Sequence, residues 1–317
     1  MPDVAPLVFF GTPEFAVPTL AALAGAGYVP ALVVSQPAKP VGRGRKEQDP
    51  PVARWAREHG LPVEQPERVR DPAFLARMRE IAPAVAVVVA FGQIFPRDLL
   101  SLPRHGCINL HASLLPRWRG AAPIQAVLAA GETRTGATTM QMEAGLDTGP
   151  ILLQEEIEIG PAETAGELSQ RLAAAGAGLM VRTLETLAAG TLVARPQDDA
   201  LATYAPRLTR ESGRVDWTRD AREIGHRLRA YTPWPGLTAE LRGEPVKLVE
   251  VEPLEEETSE SPGSFLGLRG GSPGALAVAC GGGSVLAVRA LQRPGRKPLR
   301  AADFANGERL RPGELFS

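Results

Sequence analysis

Residues 107–111 read Cys-Ile-Asn-Leu-His, and the reading of this pentapeptide decides the fold. Apolar and polar side chains alternate along it, which is the period of a strand, so Asn109 and His111 project from the same face. The chain then enters a proline-containing loop over residues 113–120, followed by an apolar run over 121–130 whose length suits a helix. Polar groups that leave a strand end into a loop stand where open α/β sheets receive ligands.

Working outward, residues 7–10 form a short apolar run that meets Gly11-Thr12-Pro13, after which Phe15, Val17, Leu20 and Leu23 recur at roughly helical spacing. Residues 31–35 predict a second strand, 51–59 a second helix, 84–90 a fully apolar strand, 136–142 a strand leading to Asp147, and 164–189 a long Ala/Leu-rich helix. Apolar strands alternating with helices indicate a mostly parallel sheet covered on both faces. The α/β reading is therefore a Rossmann-like catalytic domain over residues 1–189. The pattern dissolves over 190–207, where Pro196, Asp198, Asp199 and Pro206 suggest a linker. Beyond it, residues 221–230 predict a helix, 237–241 and 246–251 a hairpin about Arg242-Gly243-Glu244, and 275–279 and 285–291 a hairpin about three glycines. Short strands with glycine turns predict a small C-terminal β-barrel, OB-fold-like, over 208–317. The acidic stretch 252–262 reads as a solvated loop.

The 317 residues allow two domains, and 44% hydrophobic with 22% charged residues is ordinary globular usage, which argues against a disordered or membrane-embedded chain. A net charge of -1 excludes a uniformly basic nucleic-acid coat while leaving local patches open. Cys107 and Cys280 are far apart, and neither has a second Cys or a His at metal-ligand spacing, so neither a disulfide framework nor a metal site is expected. No targeting segment or bilayer-spanning run is evident, and a cytoplasmic protein is expected.

Asn109, His111 and Asp147 supply an amide, an imidazole and a carboxylate, a set suited to acyl transfer onto an amine. Such a reaction passes through a tetrahedral oxyanion, which an amide can stabilise, and sheds a proton, which an imidazole can carry. Taken singly, each residue has a structural reading: Asn and Asp form turns, and a lone His is usually a hydrogen-bonding residue. Their joint occurrence around Ser113-Leu114-Leu115-Pro116 and Arg119-Gly120 raises the catalytic reading.

The segments FFGTPEF (9–15), QPAKPVGRGRK (36–46), GCINLHASLLPRWRGAAPIQ (106–125) and MQMEAGLDTG (140–149) closely resemble the 10-formyltetrahydrofolate-dependent formyltransferases. With YAPRL (204–208), WPG (234–236) and RPGRK (293–297), the resemblance covers essentially the whole chain and narrows to the branch acting on methionyl-tRNA. It implies a catalytic trio of Asn109, His111 and Asp147, and a folate-binding loop of Ser113, Leu114, Leu115 and Pro116, with Phe91, Gly92 and Ile94 lining part of the slot. It also implies 10-formyltetrahydrofolate as the donor cosubstrate without a metal, and methionyl initiator tRNA as the partner of a monomer that meets no membrane.

Residues 36–57 hold Lys39, Arg43, Arg45, Lys46, Arg54 and Arg57 against Glu47 and Asp49. Such a run is either a solvated surface loop or a basic arm that orders on RNA, and the resemblance favours the arm, with Arg43, Arg45 and Lys46 as tRNA contacts. Near the C-terminus, Arg289, Arg293, Arg296, Lys297, Arg300, Arg309 and Arg311 face only Asp303 and Glu308 in the same stretch, a local basic excess from which Lys297 is expected to meet tRNA. Other acceptors remain open on the same site: an amino sugar nucleotide, another small amine, or water. A dinucleotide-dependent oxidoreductase is disfavoured because Gly11-Thr12-Pro13-Glu14 lacks the G-x-G-x-x-G spacing. A non-catalytic RNA-binding module would leave the trio idle.

Overall fold

The computed structural model describes residues 4–41, 46–270 and 274–317. The chain divides into two compact units, one of Met1–Pro123, Arg134–Glu158 and Ser169–Ala205, the other of Ile124–Thr133, Ile159–Leu168 and Pro206–Ser317. Along its first two thirds run β1 (Leu7–Gly11), α1 (Val17–Gly25), β2 (Leu32–Val34), β3 (Lys39–Val41), β4 (Lys46–Gln48), α2 (Pro51–Glu58), β5 (Val63–Glu64), α3 (Pro72–Ile81), β6 (Val85–Val89), α4 (Arg97–Ser101), β7 (Cys107–His111) and β8 (Arg119–Gly120). Then come α5 (Pro123–Ala129), β9 (Arg134–Gln141), β10 (Ile151–Glu158), α6 (Ala165–Ala188) and β11 (Tyr204–Ala205).

Seven strands of the first unit form one sheet in the order β10-β9-β7-β6-β1-β2-β5. The pairs from β5 to β7 are parallel, and β9 and β10 add antiparallel strands. Every residue of β1 and β6 is buried, as expected where both faces of a parallel sheet are covered. On one face Phe10 meets the rings of Phe74, Phe91 and Phe95 edge-on at 6.3, 5.4 and 4.9 Å, in a core that also takes in Val8, Val88, Met78 and Cys107. On the other face α6 approaches Leu110 so closely that Gly176 has no room for a side chain. The chain leaves β1 toward β2 and β5 and returns to β6 on the opposite side, so the sheet reverses between β1 and β6. A crevice at the carboxyl ends of these strands is the expected ligand site of such a sheet.

The second unit contains α7 (Ala221–Tyr231), β12 (Leu237–Leu241), β13 (Glu244–Glu257), β14 (Phe265–Arg269), β15 (Ala275–Ala279), β16 (Ser284–Gln292), β17 (Leu299–Arg300) and α8 (Ala301–Glu308). Its strands pair in the order β12-β13-β16-β15-β14, with β17 beside β16. The last residues join the two edges. Leu241 bridges Phe316 and Ser264 bridges Leu315, while Ser317 exchanges hydrogen bonds of 2.6 and 2.9 Å with Glu240. This seam closes the sheet as a small barrel and leaves neither end strand unpaired.

Two segments differ from the sequence reading. The acidic stretch expected as a loop from residue 252 continues β13 to Glu257, in register with β16, and its carboxylates find arginine partners on β16, β14 and α7. Arg289 binds Glu252, Arg269 Nε donates to Glu256 at 3.1 Å, and Arg222 reaches Glu255 at 3.0 Å. Within residues 36–57, β3 and β4 pair as antiparallel strands where a loop was expected, while α2 occupies the helix expected over 51–59.

Candidate active site

Asn109 and His111 do share a face of β7, with Ile108 and Leu110 on the other. Asn109 lies in register with Val88 on β6 and Met140 on β9, and His111 lies opposite Thr138. The imidazole is 6% exposed, and its Nε2 stands 2.9 Å from the Trp118 carbonyl. A carbonyl only accepts, so Nε2 carries the hydrogen and the neutral ring keeps its lone pair on Nδ1. That Nδ1 is 3.7 Å from Asp147 Oδ2, within reach of charge attraction and beyond a hydrogen bond. The Gly120 N–H donates to the same carboxylate oxygen at 2.8 Å. The Asn109 amide has no hydrogen-bond partner among the described residues, leaving its donors available to a ligand. The structure thus brings all three sequence-predicted residues to one strand end.

Backbone geometry fixes the partners of this trio. Trp118 N–H donates to Thr203 Oγ1 and Arg119 N–H to the Thr203 carbonyl, each at 2.9 Å, and β8 pairs in parallel with β11. The segment that supplies the Trp118 carbonyl and the Gly120 N–H is therefore held by residues 203–205, in the stretch read from sequence as a linker. The loop bearing Asp147 starts and ends together, because Gln141 N–H donates to the Pro150 carbonyl at 2.9 Å. A side chain at Gly149 would collide with the Gln141 carbonyl, so only glycine closes the loop.

The expected folate-binding residues divide by exposure. Ser113 and Leu115 are buried: Ser113 Oγ donates to the Arg117 carbonyl at 2.6 Å, and Leu115 packs with Met140 and Ile151. Thr138 Oγ1 donates to the Ser113 carbonyl at 2.6 Å and accepts from Leu115 N–H at 3.2 Å, while Gln154 Nε2 donates to the Leu115 carbonyl at 2.9 Å. These bonds set the shape of the loop and leave Leu114 and Pro116 half-buried beside a cavity of about 480 Å³ whose lining includes neither Asn109 nor His111. Phe91 is buried in the aromatic core, whereas Gly92 has a φ of 87° that favours glycine and Ile94 is 93% exposed. Thr12 Oγ1 and Gln36 Nε2 both donate to the Phe91 carbonyl, at 2.9 and 3.1 Å, tying together the ends of β1, β2 and β6. Leu146, next to Asp147, is a second large apolar side chain standing 62% in water. Burial pushes the Cys107 thiol up to about 12, which leaves no thiolate nucleophile on this strand.

The residues expected to meet RNA are more scattered. Arg43 and Arg45 lie outside the described residues, and of Lys46 only the backbone is described, paired with Val41. Lys297 is exposed between β16 and β17. The C-terminal basic excess is smaller than the sequence count. Arg289 binds Glu252, Arg293 reaches Glu308 at 2.9 Å and Arg300 reaches Glu250 at 3.7 Å, two of these carboxylates coming from β13 across the sheet. Arg296, Lys297 and Arg309 are exposed without an ion-pair partner among the described residues, while Arg311 N–H donates to Glu314 Oε2 at 2.6 Å. No group of three or more His, Cys, Asp or Glu side chains able to hold a metal occurs among the described residues, and no helix among them is long and apolar enough to cross a membrane.

Sequence reasoning missed the Trp118 carbonyl, the Gly120 N–H and Gln197. The first two are backbone groups, and only the short spacing of Arg-Trp-Arg-Gly from His111 hinted at them. Gln197 sits in the apparent linker and donates to the carbonyls of Asp147 and Gly149, at 2.8 and 2.7 Å.

A family described as Formyl transferase matches residues 6–184, and one described as Formyl transferase, C-terminal domain matches residues 207–309. The methionyl-tRNA formyltransferase of Geobacter metallireducens is 50% identical over 307 residues, covering 97% of each chain. That of Anaeromyxobacter dehalogenans is 48% identical over 311 residues, covering 96% of this chain and 97% of its own. Among solved structures, a sugar 3N-formyl transferase crystallised with dTDP and 5-N-formyl-THF superposes with a TM-score of 0.65 at 16% identity, over 93% of this chain and 99% of its own. An N-formyltransferase from Helicobacter canadensis, in complex with folinic acid and dTDP-3-aminofucose, superposes with a TM-score of 0.66 at 16% identity, over 89% of this chain and 98% of its own. At that identity the likeness concerns the fold alone.

Proposed function

This chain belongs to the formyl transferase family, and we propose that it transfers the formyl group of 10-formyltetrahydrofolate to the α-amine of methionyl initiator tRNA. The observation that carries the proposal is full-length identity of about half to enzymes named for that reaction, joined to a strand end that offers a free amide, an imidazole and a carboxylate. Such a tRNA substrate implies a cytoplasmic enzyme, and the assignment needs no second copy of the chain.

The α-amine attacks the formyl carbon and a C–N bond forms, while the carbonyl oxygen takes up negative charge. Asn109, whose amide is unpartnered, donates to that oxyanion; a donor of this kind is worth about 2.7–4 kcal/mol of barrier. The attacking nitrogen loses a proton, and His111 Nδ1 is the lone pair positioned to take it, since Nε2–H is engaged by the Trp118 carbonyl. Asp147, 3.7 Å away, stabilises the imidazolium. The proton passes to the departing folate nitrogen as the old C–N bond breaks, and tetrahydrofolate leaves. The exposed apolar groups Ile94 and Leu146 give a flat folate ring surface to cover. Ser113 and Leu115 act as the frame of the loop that Leu114 and Pro116 present. Gly92 lets the β6 loop turn beneath the ring, and buried Phe91 anchors it. Arg43, Arg45, Lys46 and Lys297 are assigned to tRNA phosphates.

The test is formyl transfer to methionyl initiator tRNA, run beside methionyl elongator tRNA, a UDP-amino sugar, glycinamide ribonucleotide and buffer alone. Fast, initiator-selective transfer is expected. Transfer to a small amine, or formate release without acceptor, would make the RNA assignment wrong.

A further inference from the structure

Asp147 adopts a φ of 53°, in the left-handed region that Asp enters more readily than most residues other than glycine, so its backbone there needs a partner to hold one conformation. That partner is the Gln197 side chain. Its two Nε2 hydrogens go to the Asp147 and Gly149 carbonyls, at 2.8 and 2.7 Å. Its Oε1 accepts from Arg119 Nε and Nη2, at 3.0 and 2.8 Å. All four positions of the amide are filled, and their polarity is dictated. A guanidinium only donates, so Oε1 must face Arg119 and Nε2 must face the loop. Arg119 is 2% exposed, and its remaining charge is met by Asp199 at 2.8 Å. The residue after Arg119 is Gly120, whose N–H holds the Asp147 carboxylate at 2.8 Å. Asp147 is thus gripped at its carbonyl by Gln197 and at its carboxylate by the neighbour of the arginine that orients Gln197.

We propose that Gln197, oriented by buried Arg119, is a positioning residue for the formyl transfer: it fixes the left-handed backbone of Asp147 and so sets the carboxylate against His111. The inference rests on the roles given above to His111 and Asp147.

Gln197→Glu tests it, because the variant keeps the size of the side chain and its pairing with Arg119 but replaces both loop donors with an oxygen facing two carbonyls. The expected result is a fall in kcat of about tenfold to a hundredfold, with KM for methionyl initiator tRNA changed less than about threefold. The Gly120 amide, losing a fixed carboxylate, should exchange with deuterium at least about tenfold faster while β6 and β7 amides keep their protection. Gln197→Ala, which removes the donors without adding charge, should reproduce both effects. In an Asp147→Asn background, Gln197→Glu should cost less than about threefold further in kcat, since its effect passes through that carboxylate. An equal loss in both backgrounds, or unchanged kcat in Gln197→Glu beside a crippled Asp147→Asn, would overturn the positioning role. Normal turnover in Asp147→Asn itself would instead overturn the reading of the site on which the inference stands.

Discussion

Thr138→Val isolates what shapes the loop beside His111. The Thr138 side chain is fully buried, and valine replaces its hydroxyl with a methyl of similar size, so packing is retained. The hydroxyl donates to the Ser113 carbonyl and accepts from Leu115 N–H and from Gln154 Nε2, the last at 3.1 Å. In the variant Gln154 still has the Leu115 carbonyl, so two backbone groups, one carbonyl and one N–H, lose their partners. Each buried unsatisfied group costs about 1–3 kcal/mol, giving about 2–6 kcal/mol in all. The assay is equilibrium urea unfolding followed by tryptophan fluorescence, since Trp118 lies within the loop. With a slope of about 2 kcal/mol per molar, the transition should move by at least about 1 M. A shift corresponding to less than about 0.5 kcal/mol, with Leu115 amide exchange unchanged, would refute the claim that this hydroxyl holds the loop.

Asp147→Asn should keep its hydrogen bond from Gly120 and lose the charge facing His111. Opposite charges at that separation attract by about 1 kcal/mol in water and about 4 kcal/mol at an effective dielectric of about 20. Single-turnover formyl transfer should therefore slow by about tenfold to a thousandfold with thermal stability little changed. Burial pushes the Cys107 and Cys280 thiols up to about 12, so a colorimetric thiol reagent at pH 8 should label neither in the folded protein and both in urea. An unfolded thiol ionises near pH 8.5, below the folded value, so this stabilisation is complete below about pH 8.5 and is lost as pH rises toward 12; alkaline unfolding titrations check the sign. Gly149→Ala must move the Gln141 carbonyl, and we expect kcat to fall at least about tenfold; retention of full activity would show that the loop closes another way.

The strand residues of the site were legible because period-two alternation fixes which side chains share a face. Asn109 and His111 followed from that rule, and the apolar β1 and β6 announced a parallel sheet. Edge strand β10 escaped notice because Gln154, Glu155, Glu156 and Glu158 make it read as polar surface, the composition an exposed edge requires. Charge counting by sequence window failed for a related reason. The carboxylates that neutralise Arg289 and Arg300 come from β13, nearly 40 and 50 residues upstream. Gln197 was illegible because its role lies in contacts 50 and 78 residues away, which no local pattern encodes.

Those long separations bear on the order in which the protein becomes competent. The sheet itself joins Leu7 of β1 to Val85 of β6, and the candidate site further needs Trp118 to meet Thr203 across 85 positions and Arg119 to meet Asp199 across 80. Both closures cost entropy, but the sheet repays it with fully buried apolar strands whereas the strap from Gln197 to Ala205 buries only Ala205, so the strap docks late and detaches early. On warming, activity should then be lost ahead of the circular-dichroism transition of the sheet, and a refolding chain should regain its secondary structure before its first turnover.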